Sequence, residues 1–124
     1  MLFVVTAPSG AGKTTLCRDI RKTVANLAYS VSYPTRNPRP GEIEGQAYHF
    51  VSELTFQQMV DRGEFAEWAR VHGHLYGTAA RTLETVLDRG EDILLDIDTQ
   101  GARQLRARYP QGLYIFVVAP SMRE

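Results

Sequence analysis

Hydrophobic and polar positions along the chain change texture twice. Leu2 to Thr6 is a continuous, partly β-branched apolar run, the pattern of a strand buried on both faces of a parallel sheet. A helix is predicted from about Lys13 to Ala25, because Leu16, Ile20 and Val24 recur on one face. Leu27 to Ser32 alternates as a strand does. From Tyr33 to about Gly45 the periodicity disappears, and Pro34, Pro38, Pro40, Gly41 and Gly45 forbid regular structure. Tyr48 to Val51 reads as a short strand. Ser52 is placed to cap a helix that runs to about Arg62 and stops at Gly63. Phe65 to Val71 and His74 to Tyr76 predict a hairpin turning near Gly73. Thr78 is expected to cap the next helix, which ends at Gly90. Asp92 to Asp98, around Ile93-Leu94-Leu95, is a buried strand with acidic ends. Thr99 to Arg108 is a short helix, and Leu113 to Ala119 another apolar strand.

Alternation of strand and helix predicts an α/β fold, a parallel sheet flanked by helices. Segments 1–32 and 79–124 form its core, and 33–78 is an insertion with its own texture. Ligands in such folds lie outside the carboxyl ends of the strands. The glycine-rich stretch after the first strand, the acidic end of 92–98 and the insertion all fall on that edge. Phe56, Phe65 and Trp68 are assigned to the core.

Composition narrows this little. The length of 124 residues suits one domain. Lys plus Arg equals Asp plus Glu at 14 each, so charge points to neither nucleic acid nor membrane as a partner. Any anion site must come from local geometry. Cys17 is the one cysteine, which excludes an internal disulfide and suits a reducing cytoplasm. No apolar run is long enough for a bilayer. His49, His72 and His74 lack a metal-ligand spacing. The final residues, Ala119-Pro120-Ser121-Met122-Arg123-Glu124, read as a strand end leading into a helix, so the chain is expected to stop before its fold is complete.

The chemistry begins in the stretch Ala7-Pro8-Ser9-Gly10-Ala11-Gly12-Lys13-Thr14, followed by Thr15. It matches the phosphate-loop pattern G-x-x-x-x-G-K-[ST] except that Ala7 replaces the first glycine. Gly10 and Gly12 permit turns that aim successive N–H groups at phosphate oxygens, and the next helix turns its positive end to the same anion. Lys13 supplies a mobile positive charge, and the Thr14 hydroxyl suits Mg²⁺. The bland alternative is a chance glycine-rich turn. The strand before it and the helix after it are the context that the motif requires.

A second set of motifs is more specific. Ser30-Val31-Ser32-Tyr33-Pro34-Thr35-Arg36-Asn37-Pro38-Arg39-Pro40-Gly41-Glu42 resembles the guanylate kinase segment S-x-x-T-R-x-P-R-x-G-E. Gly45 to Val51, Gly63 to Ala69, Tyr76-Gly77-Thr78 and Leu95 to Gly101 follow in that family's order and spacing. The resemblance spans the whole chain and implies a P-loop nucleoside-monophosphate kinase fold acting on ATP and GMP. It implies that Arg36, Arg39, Tyr48 and Tyr76 hold the GMP phosphate. Ser32, Glu67, Thr78 and Asp98, with Gly77 beside them, would read the guanine. Carboxylates only accept, so Glu67 and Asp98 suit the N1–H and 2-amino donors of guanine. Adenine would leave them unpaired. Asp96 would support Mg²⁺, and Lys13, Arg36 and Arg39 would offset charge during transfer. The family also continues past 113–119 with a lid whose arginines reach the transferred group. Taken singly, each tyrosine reads as packing and each charge as solvated surface. A non-catalytic binding module and a sugar-phosphate kinase remain the alternatives. The intact Lys13 and Thr14 argue against the first, and the guanine-reading set against the second. Tyr33, Pro34 and Leu75 depart from the family pattern near the GMP segment.

Overall fold

A computed structural model describes residues 1–6, 13–45 and 48–117, with only the backbone in 13–15. The core is a four-stranded parallel sheet in the order β2-β6-β1-β7, formed by β1 (Leu2–Thr6), β2 (Leu27–Tyr29), β6 (Asp92–Asp96) and β7 (Leu113–Phe116). Neighbouring side chains of β1 point to opposite faces, which decides what covers each face. Val5 and Leu94 meet Cys17 of α1 (Lys13–Thr23). Val4, Ile93 and Leu95 meet Leu83 of α3 (Ala80–Asp88) and Leu105 of α4 (Thr99–Arg108). Both faces of β1 and β6 are therefore dry, and their unbroken apolar runs follow from that, whereas β7 stays largely exposed.

The remaining strands form an antiparallel sheet in the order β3-β5-β4: β3 (Tyr33–Pro34), β4 (Phe65–Val71) and β5 (His74–Ala79). His72 and Gly73, with φ of 51° and 80°, make the tight left-handed turn that joins β4 to β5. Between β3 and β4 in the chain, α2 (Glu53–Asp61) packs Phe56 on Phe65, ring centroids 4.4 Å apart. Its N-terminus is capped by Ser52, whose hydroxyl accepts from Thr55 N. Among the described residues no helix is long and apolar enough to cross a membrane.

Several local expectations change. The segment 48–51 forms no strand. Its groups make isolated bridges and single bonds, such as His49 N to Ser32 O and Val51 N to Pro34 O. Pro34 has no N–H to continue the ladder. Thr78 caps nothing: it is fully buried in β5, and Ala79 takes the N-cap position of α3 without a side-chain bond. Trp68 is 36% exposed rather than core, with one edge on Phe56.

Candidate nucleotide site

The carboxyl ends of β1 and β6 lie side by side, with Val5 registered opposite Asp96. This brings the half-buried Asp96 next to the point where the chain enters the glycine-rich stretch. Residues Ala7 to Gly12 lie outside the described residues, as do the side chains of Lys13, Thr14 and Thr15. The backbone of Lys13 opens α1, as the motif expects.

A cavity of about 230 Å³ lies between the carboxyl edge of the core sheet and the second sheet. Ser32, Tyr48, Glu67, Tyr76, Gly77, Asp96 and Asp98, widely separated in sequence, all line it. Thr78 sits just behind, paired with Glu67 across the β4–β5 ladder. Arg36 is also behind the wall. It is buried, with its Nε donating to Tyr76 Oη at 3.1 Å and its guanidinium 5.1 Å from the Tyr48 ring. Arg39 is exposed on the loop that follows Arg36 and is not part of the cavity lining. Its backbone N–H donates to Glu42 Oε1.

One end of the cavity is acidic and poorly hydrated. Glu67 is 4% exposed. Burial pushes its carboxyl up to about 7, the Thr78 hydroxyl pulls part of the way back, and the charge of Asp98 adds to the rise. Thr78 Oγ1 meets no partner at good distance and angle among the described residues, so its pull is that of a nearby dipole rather than a formed hydrogen bond. Asp98 caps α4, with Oδ1 accepting from Gly101 N at 3.0 Å. The carboxylate of Glu67 rests directly against Gly101, where a Cβ would collide with it. An acceptor pair of this kind, Glu67 buried and Asp98 half-buried, fits a planar ligand edge carrying two N–H donors.

The other end carries hydroxyls and cationic charge, the chemistry of an anion seat: Tyr48, Tyr76 and, behind them, Arg36. Sequence reasoning missed Tyr29 and Ser30, which also line the cavity. Ser30 Oγ is buried without a partner among the described residues. The Tyr29 hydroxyl is pushed up by burial and then by the Asp96 charge, while Arg21 stacks on its ring at 4.2 Å. Their position at the carboxyl end of β2 was the available signal. Glu42, Gly101 and Gln104 had stood as motif or helix residues without a role. Among the described residues, no three His, Cys, Asp or Glu side chains gather as a metal cluster.

A family model described as guanylate kinase matches residues 1–124. The guanylate kinases of Geobacter sulfurreducens and Geobacter metallireducens are 57% and 56% identical to the chain over 124 residues. In each case the match covers 100% of this chain and 61% of the relative. The crystal structure of guanylate kinase from Anaplasma phagocytophilum superposes with a TM-score of 0.86 at 35% identity, covering 99% of this chain and 62% of that one. The chain thus spans about three fifths of the length of the relatives it matches.

Proposed function

The chain belongs to the guanylate kinase family, and from that premise we propose that its protein transfers the γ-phosphoryl group of ATP to GMP, giving ADP and GDP. One observation carries the reading most: two carboxylates, Glu67 and Asp98, face one end of a cavity whose other end offers Tyr48, Tyr76 and Arg36. Guanine needs acceptors opposite N1–H and its 2-amino group, and the phosphate needs donors and positive charge. Ser32, Gly77 and Thr78 complete the base end. Arg39, on its exposed loop, is assigned to the phosphate once GMP is bound. We read 33–78 as the GMP-holding insertion, and 1–32 with 79–124 as the core that holds ATP.

The acceptor is already an oxyanion, so the protein's task is alignment and charge neutralisation rather than proton abstraction. The glycine-rich stretch Ala7 to Thr15 is assigned to the ATP phosphates, with Lys13 on the transferred group. Mg²⁺ would come with ATP and neutralise its phosphate oxygens. Thr14 and the half-buried Asp96 are hard oxygen donors suited to hold it, Asp96 through water. ATP and GMP are cytoplasmic nucleotides, and we assign the reaction to that compartment.

The test is a coupled ADP-release assay with GMP, AMP, UMP and dGMP, alongside calorimetric binding of GMP to this chain. Release with GMP, silence with AMP and UMP, and loss of transfer in Lys13→Ala are expected. Preference for AMP or for a ribose phosphate overturns the reading, as does unchanged turnover in Lys13→Ala.

A further inference from the structure

In the second sheet β4 is an edge strand, so among the described residues its outward N–H and C=O groups have no strand to pair with. The side chain of Gln104 on α4 fills that gap. Its Oε1 accepts from Trp68 N at 3.0 Å and its Nε2 donates to Trp68 O at 2.7 Å. These are the two bonds that a neighbouring peptide group would make. One turn on, Arg108 Nη1 donates to Phe65 O at 3.4 Å. One turn back, Gly101 touches the Glu67 carboxylate. Residues 101, 104 and 108 share one helix face, so α4 presents a substitute edge to β4 on both sides of Glu67. The same helix is capped by Asp98.

We propose that Gln104 is a positioning residue for guanine recognition: by pinning Trp68 to α4 it holds Glu67 in fixed register with Asp98, so that both carboxylates meet the base together. The inference rests on the GMP reading above. A buried carboxylate gains by swinging toward water. Gly101 gives Glu67 room beside the helix, and the Gln104 bonds keep the strand from sliding away from it. Gln104 and Trp68 both lie at the surface, so water can replace the lost bonds and the variant is expected to fold.

The experiment compares GMP with inosine monophosphate, which lacks only the 2-amino group. Binding is measured calorimetrically and by the fluorescence of Trp68, the single tryptophan. In Gln104→Ala the preference for GMP over inosine monophosphate should fall roughly tenfold, with ATP affinity within about twofold of wild type. Gln104→Met fills the same space without either hydrogen bond. It should behave alike, and it carries the test should the alanine variant fail to fold. A preference that is unchanged, or equal losses for both nucleotides, overturns the role of Gln104 alone. A wild-type chain that binds no GMP overturns the GMP reading, and this inference with it.

Discussion

Arg36 closes its guanidinium fork on Glu42, not on the cavity. Nη1 meets Oε1 at 2.7 Å and Nη2 meets Oε2 at 2.8 Å. Nη1 also donates to Asn37 O, and Nε to Tyr76 Oη. Arginine has five N–H donors, and these bonds use all but one on Nη2. A phosphate in the cavity can therefore draw only one direct bond from Arg36 while Glu42 holds it, rather than the two of which a guanidinium fork is capable. Tyr76, accepting from Arg36, keeps its own O–H to donate. The two residues thus supply an oriented tyrosine hydroxyl, while the Arg36 charge is offset by that of Glu42. Its bond to Arg36, with help from Arg39 N–H, holds Glu42 at about 2, so the carboxylate stays charged at any working pH.

Glu42 is consequently expected to support phosphate binding, not to compete with it. Glu42→Gln should weaken GMP about tenfold and leave ATP unchanged. Tighter GMP binding in that variant would show that Glu42 occupies the phosphate's place. Glu42→Ala should also cost about 3 kcal/mol in urea unfolding, since Arg36 would be left buried and unpaired.

Gly101 offers a sharper steric test. Alanine at a helical position normally stabilises by up to about 1 kcal/mol relative to glycine. Here the added Cβ lands on the Glu67 carboxylate, with Ile97 Cδ1 3.3 Å away on another side. Gly101→Ala should lose GMP affinity by more than about tenfold. Calorimetric titrations giving wild-type GMP affinity would place Glu67 elsewhere than against α4.

What the sequence made legible was whatever depends on near neighbours. The dry strands β1 and β6 announce themselves because both faces are apolar. Ser52, Gly63 and Gly90 mark helix ends by conformational need, and the two glycines take φ of 67° and 72°. Thr78 misled because a hydroxyl before a helix reads equally as a cap or as a buried strand residue. The cavity's separate wall residues could be enumerated from motif spacing, yet their partners could not. Nothing near Arg36 says that Glu42 takes its fork. Nothing near Glu67 says that Gly101 must lack a side chain. Gln104 lies on an outwardly polar helix, and its use emerges only once β4 is seen to be an edge.

Gly77 separates packing from recognition. A Cβ there would sit 2.6 Å from Phe65 Cε1 and 2.7 Å from Cδ1, and that ring is already stacked on the fully buried Phe56. Gly77→Ala should therefore destabilise by about 1–3 kcal/mol, read as a lower denaturation midpoint with an unchanged slope. A midpoint at the wild-type value would mean that the aromatic stack yields freely.

Glu67 makes both stability and binding depend on pH. Its carboxyl is raised from 4.5 to about 7 in the folded chain, chiefly by burial. Between those values the folded state holds a proton that the unfolded state has released. Stability is therefore full below about 4.5 and declines as pH rises through 7. The loss is on the order of 3 kcal/mol. Glu67→Gln should abolish that slope and be the more stable protein above neutrality. Binding runs the opposite way. Guanine needs the ionised acceptor, so below pH 7 GMP affinity should fall by about tenfold per unit as bound protons must leave. The GMP phosphate titrates near pH 6 as well. Comparison with Glu67→Gln removes that contribution. Unfolding profiles from pH 4 to 8 that run parallel in the two proteins would mean that the Glu67 carboxyl titrates alike in the folded and unfolded chains, as a solvated one does.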